Sequence, residues 1–126
     1  MEILVTGGAG FIGGHLAEQF VADGHDVRVL DNLDPFYDTG IKDHTIERCQ
    51  ELAADGDGSY EFIDGDVREE ATVNEVVSGV DMIYHQAAQA GVRPSVEDPR
   101  KYNEVNVDGT LNVLDAARAE DVERVV

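Results

Sequence analysis

Several things are scarce in this sequence, and each scarcity removes a class of function. It has one cysteine, Cys49, which excludes an internal disulfide framework and cannot by itself form a metal site. The four histidines, His15, His25, His44 and His85, show no spacing that would gather them around one ion, so no metal is expected. No apolar run approaches the roughly 18 residues that a membrane helix needs. The N-terminus enters an apolar strand without the basic segment and cleavage site of a secretion signal. A soluble, cytoplasmic protein with no membrane contact is the expectation. Bases are scarce beside acids: 9 against 27, a net charge of −18, with Lys42 and Lys101 the only lysines. Nucleic acids and anionic membranes both require a positive field and are excluded as partners.

A hydrophobic fraction of 42% argues against a disordered acidic tail, so the acids are expected to coat a folded surface. Such a coat is like that of proteins from salt-loving cells, where the Debye length shrinks from ~10 Å at 0.1 M to ~3 Å at 1 M salt and self-repulsion is screened. Stability is expected to fall as salt is withdrawn. With 126 residues the chain fits one domain, 1–126, that buries roughly two-thirds of its unfolded surface.

What is plentiful is glycine, and its densest cluster comes at the start. The run Leu4-Val5-Thr6-Gly7-Gly8-Ala9-Gly10-Phe11-Ile12-Gly13-Gly14 turns an apolar strand into a helix. Gly8, Gly10 and Gly13 fit the dinucleotide fingerprint G-x-G-x-x-G, and Gly7, Gly10 and Gly13 fit its G-x-x-G-x-x-G variant equally well. Ile3, Leu4 and Val5 precede the turn, and Ile12, Leu16 and Phe20 follow at helical spacing. Val27-Arg28-Val29-Leu30-Asp31 then closes a βαβ unit on an acid. Gly7 permits the sharp exit from the strand, Gly10 lets the main chain approach a pyrophosphate, and Gly13 lets the helix lie close to the sheet. The free N–H groups of the first helical turn would face the phosphates. A tight strand-to-helix turn without a ligand is the alternative. Asp31, at the end of the second strand, is placed to accept the adenosine ribose hydroxyls and to repel a 2′-phosphate, favouring NAD over NADP; otherwise it is only a turn acid.

The remaining elements alternate. A loop over residues 31–38 leads to a helix from about Ile41 to Ala54, and Asp55 to Ser59 is a solvated turn. Tyr60 to Ile63 is a third strand, Thr72 to Val77 a short helix, and Val80 to His85 a fourth strand. Pro99 to Glu120 is a long helix with Tyr102, Val105, Val107, Leu111, Val113, Leu114 and Ala117 in a wide apolar stripe, and Glu123 to Val126 begins a fifth strand. This order predicts an α/β, Rossmann-type doubly wound parallel sheet, truncated in the fifth strand, with its ligand crevice at the carboxyl ends of the strands.

Four segments in sequence resemble the extended short-chain dehydrogenase/reductase family, in particular its nucleotide-sugar epimerases and dehydratases. They are Thr6 to Gly13, Asp64-Gly65-Asp66-Val67, His85-Gln86-Ala87-Ala88-Gln89-Ala90-Gly91-Val92, and Asn106-Val107-Asp108-Gly109-Thr110-Leu111-Asn112-Val113-Leu114. The resemblance implies NAD as cofactor. Gly7, Gly10, Phe11, Ile12 and Gly13 would form the phosphate turn, with Asp31 and Asn32 near the ribose and Asp66 and Val67 on the adenine. Ala87, Ala88 and Gln89 would lie on the path to the nicotinamide. Asn106 matches a family asparagine near the cofactor, or else ties its helix to a neighbouring strand. His85 reads as a packed strand-end residue, and Arg93 as a surface partner of Glu97 or Asp98 rather than a substrate contact. Asp31-Asn32-Leu33 with Pro35-Phe36-Tyr37-Asp38, and Ala88 to Arg93, look most like UDP-glucuronate 4-epimerases. UDP-glucose 4-epimerases come next, then dTDP-glucose dehydratases. Gln86 and Pro94 depart from that pattern and bear on the substrate.

Enzymes of this family carry a Tyr-x-x-x-Lys pair and a Ser or Thr for proton transfer. Here Tyr37, Tyr60, Tyr84 and Tyr102 are followed four residues on by Ile41, Asp64, Ala88 and Asn106, so no catalytic residue is assigned. Two expectations result. One is the NAD-binding portion of a nucleotide-sugar 4-epimerase, inactive alone and without its substrate domain. The other is a stand-alone NAD-binding module that self-associates through the 99–120 helix or the edge of its interrupted sheet.

Overall fold

The computed structural model describes residues 1–35 and 38–126. Phe36 and Tyr37, part of the loop that carries one resemblance, lie outside the described residues. The sheet is built from β1 (Glu2–Thr6), β2 (Asp26–Asp31), β3 (Ser59–Asp64), β4 (Met82–His85) and β5 (Arg124–Val125). All neighbours are parallel, in the order β3-β2-β1-β4-β5. The chain therefore builds outward from β1 to β3, then returns across it to place β4. Between β1 and β4 the connections diverge, opening the crevice at their carboxyl ends.

Alternation along the strands assigns each side chain to one of two helical layers. Ile3, Val5, Val27 and Val29 point to one face, covered by α1 (Phe11–Ala22) and α2 (Thr39–Asp55) through Ala17, Val21 and Cys49. Leu4, Leu30 and Ile83 point to the other, covered by α3 (Glu70–Val77) and α6 (Gly109–Ala119) through Val73, Val77, Val113 and Ala116. Burial on both faces explains why β1 is an unbroken apolar run rather than an alternating one.

Three expectations need correction. The buried stripe of α1 is Gly13, Gly14, Ala17 and Val21, whereas Ile12 is 63% exposed and Leu16 and Phe20 are half-buried. Only small residues let this helix approach so closely: a Cβ on Gly14 would stand 2.6 Å from Thr45 Cγ2 of α2. The long helix is continuous but not regular, running as α5 (Pro99–Asn103), a π-helical turn (Glu104–Asp108) and α6. The wide turn keeps Val105, Gly109 and Val113 on the core side and leaves Val107, Leu111 and Leu114 exposed, so the stripe is narrower than its composition suggests. A short helix, α4 (Val92–Glu97), fills a stretch that has no periodic signal, and Arg93 pairs with neither Glu97 nor Asp98. Among the described residues no helix is long and apolar enough to cross a membrane.

Candidate functional site

The carboxyl ends of β1, β2 and β4 open into a crevice of about 870 Å³ that contains the glycine turn, the loop after β2 and the segment after β4. Gly7 has φ +67°, a left-handed conformation that a side chain would strain, and a Cβ there would lie 2.8 Å from the Ala87 nitrogen. A Cβ on Gly13 would overlap the Gly7 carbonyl oxygen. The triad of Gly7, Gly10 and Gly13 thus makes the turn, while Gly8 packs against Val29, where its Cβ would come within 2.6 Å of the side chain. Gly10 caps α1 without a side chain, and no acid occupies the first turn. Phe11, Ile12 and Gly13 line the crevice there, at the positive end of the helix. This is a backbone surface suited to an anion.

Asp31 is 5% exposed, and its carboxylate is already engaged. Oδ2 accepts the Ala9 N–H at 3.1 Å, and Oδ1 accepts the Leu33 N–H at 2.8 Å and Lys42 Nζ at 3.1 Å. Lys42, from the first turns of α2, is itself 7% exposed and lines the crevice. Sequence reasoning missed it. The available signal was its rarity, one of two lysines in a strongly acidic chain.

Asn32 links the loops after β2 and β3, donating from Nδ2 to Asp66 Oδ2 at 3.2 Å and accepting the Asp34 N–H on Oδ1. Asp66 is gripped by Arg68, whose Nε and Nη2 reach its two oxygens at 3.1 and 2.6 Å. That fork, more than any other contact, holds the Asp66 carboxyl below its usual range. Val67 is buried against Gly109, and its carbonyl accepts Asn112 Nδ2 at 2.9 Å.

The segment after β4 is held from outside. Asn106, in the π-helical turn, accepts the Gln89 N–H on Oδ1 at 2.8 Å and donates from Nδ2 to the Gln89 carbonyl at 3.1 Å. Its amide thus ties the helix to the loop after β4 rather than to a neighbouring strand. Tyr102 donates its hydroxyl to the Ala90 carbonyl at 2.7 Å, and Thr6 Oγ1 accepts the Ala87 N–H at 3.1 Å. Ala87, Ala88 and Gln89 line the crevice opposite the glycine turn.

His85 sits behind this segment, and its proton can be assigned by counting donors. Thr110 Oγ1 must donate to the Asn106 carbonyl at 2.7 Å, so it accepts from His85 Nε2–H at 2.9 Å. Burial holds the His85 pKa below its ordinary value, favouring the neutral ring. Nδ1 then accepts the Thr6 hydroxyl at 2.6 Å. Both nitrogens are occupied, in agreement with a packed strand-end residue. Among the described residues no group of three or more His, Cys, Asp or Glu side chains is arranged to hold a metal.

Residues 3–126 match the NAD dependent epimerase/dehydratase family over nearly the whole chain. The chain belongs to that family. A UDP-glucose 4-epimerase of Klebsiella pneumoniae is 35% identical over 128 residues, covering 100% of this chain and 86% of that protein. Among solved structures, a UDP-glucose-4-epimerase of Stenotrophomonas maltophila with bound NAD and formylated UDP-arabinopyranose superposes with a TM-score of 0.83. It is 27% identical and covers 99% of this chain and 35% of the other. The dTDP-glucose 4,6-dehydratase DesIV of Streptomyces venezuelae, with NAD and TYD bound, gives a TM-score of 0.80 at 34% identity, covering 99% and 38%. Several curated relatives are much longer: the chain spans 36% to 38% of the length of two from Methanocaldococcus jannaschii.

Proposed function

We propose that the crevice binds NAD and that residues 1–126 form the NAD-binding portion of a nucleotide-sugar 4-epimerase. The glycine turn carries this reading: it has no room for a side chain at Gly7 or Gly13 and lies at the positive end of α1. In it, Gly7, Gly10, Phe11, Ile12 and Gly13 hold the pyrophosphate, and Asp31 with Asn32 faces the adenosine ribose. Asp66 and Val67 meet the adenine. Ala87, Ala88 and Gln89 border the nicotinamide, with Asn106 fixing Gln89.

In such an epimerase, bound NAD supplies reversible oxidation at sugar C4. The residues of this chain position and shield it, and with no Tyr-x-x-x-Lys pair they bind cofactor without turnover. The loop and crevice motifs favour a UDP-glucuronate 4-epimerase, with a UDP-glucose 4-epimerase, supported by the relatives of that name, as the next candidate and a dTDP-glucose dehydratase, supported by the likeness to DesIV, as a further one.

A second role, self-association, is favoured by Val107, Leu111 and Leu114, exposed at 58, 54 and 49% along one line of helix. The net charge of −18 supports a salt-adapted chain, and the buried free Cys49, its thiol pKa pushed up to about 12, suits the reducing cytoplasm.

A calorimetric titration with NAD in molar salt tests the reading. Binding is expected, with no conversion of UDP-glucose or UDP-glucuronate and a melting temperature that falls as salt is removed. Absence of binding would overturn the reading, and measurable turnover would overturn the inactivity. Light scattering separates an associating chain from a monomer.

A further inference from the structure

The crevice holds two buried charged side chains side by side, and each is only partly satisfied. The Asp31 carboxylate offers about four lone-pair positions. Ala9, Leu33 and Lys42 take three, leaving one on Oδ2. The Lys42 ammonium has three N–H donors, and its bond to Asp31 Oδ1 is its one hydrogen bond among the described residues. Its side chain is 9% exposed and that of Asp31 4%, so water satisfies little of what remains. Both residues line the crevice. A ligand here must accept from a cation and donate to a carboxylate within a few ångströms.

A ribose cis-diol has that chemistry, since one hydroxyl donates while the oxygen of its neighbour accepts. We propose that Lys42 is a specificity-determining residue of the adenosine ribose subsite, reading the diol together with Asp31. This deepens the NAD reading above and rests on it. An acid alone at this position discriminates against NADP by repelling its 2′-phosphate. Here the acid is matched by a cation at 3.1 Å, so the pair is close to neutral and its repulsion of a phosphate is weak. Discrimination comes from hydrogen-bond geometry, and Lys42 lowers it.

The consequence is counterintuitive. Removing the lysine should weaken NAD binding and at the same time sharpen the preference for NAD, because the bare carboxylate then faces the phosphate of NADP. At separations of a few ångströms, one unit charge in a partly buried site changes affinity by about tenfold or more.

The test is paired calorimetric titration of NAD and NADP against the full chain and its variants in molar salt. Lys42→Met should raise the NAD:NADP affinity ratio about tenfold, while Lys42→Arg, which keeps the charge, should stay near the parent ratio. Should Lys42→Met fail to fold, the decisive pair is Asp31→Asn against Asp31→Asn/Lys42→Met. The first should favour NADP through the unopposed ammonium, and the second should lose that gain. Equal ratios in the parent and Lys42→Met, or in the two Asp31→Asn proteins, would overturn the assignment of Lys42 and leave NAD binding intact. A parent chain that binds neither dinucleotide would overturn the NAD reading itself.

Discussion

The loops after β1 and β4 face each other across one crevice but are fixed by different means. The first is held by what its residues lack: Gly7 and Gly13 leave spaces that adjoining backbone occupies, so the turn is defined by steric exclusion from within. The second is mostly alanine and glutamine, with a conformational demand only at its far end, where Gly91 has φ +109°, and side chains from β1, α5 and the π-helical turn hold it by hydrogen bonds. A wall set by exclusion fails abruptly when altered. A wall set by hydrogen bonds loosens by degrees.

The largest effect should follow from Gly7→Ala, which adds a Cβ 2.8 Å from the Ala87 nitrogen at a φ of +67°. We expect a loss of about 3 kcal/mol, from left-handed strain and overpacking together, read as a lower urea midpoint. A midpoint like that of the parent would mean that the two walls are not in contact. Asn106→Ala should cost less, about 1 kcal/mol, because the two Gln89 groups it releases are partly accessible to water. Its signature is local: faster hydrogen exchange at the Gln89 amide with the Gly7 turn unchanged. Exchange that rises in both loops together would erase the distinction between them.

The smallest effect concerns pH. Burial depresses the His85 pKa below its ordinary 6.5, so the unfolded chain binds the proton more readily than the folded one. The corresponding stability is fully present above pH 6.5 and is lost as the pH falls through the folded value. Unfolding midpoints taken across that range should show this slope in the parent and a shallower one in His85→Gln.

The same contrast decided what could be read in advance. The glycine turn and the parallel sheet with helices on both faces were legible because glycine spacing and apolar runs state their requirements locally. The position of Lys42 was not, because a lysine in the first turns of a helix looks the same whether it meets water or a buried acid 11 residues upstream. Asn106 could be read as a cofactor neighbour or as a tie to a neighbouring strand, and its place beside Gln89 shows a tie to the loop after β4 instead. Ile12, Leu16 and Phe20 misled for a physical reason: close approach of α1 selects the smallest residues for contact and displaces the large ones to the flanks. The stripe over 99–120 misled because it is wider than the face that packs: Val105, Gly109, Val113 and Ala116 meet the core, while Leu111 and Leu114 lie on the other side of the same helix.

Thr6 is fully buried at the end of β1, where it joins β4 through both a backbone bond and its hydroxyl. Behind the crevice the hydrogens of this chain of bonds point in one sense: from Ala87 into Thr6, from Thr6 into His85, from His85 into Thr110, and from Thr110 into the Asn106 carbonyl. Reversal is blocked at both ends, because a peptide N–H cannot accept and a peptide carbonyl cannot donate. The imidazole thereby acts as a spacer of fixed polarity, transmitting the orientation of one crevice wall to the helix that secures the other.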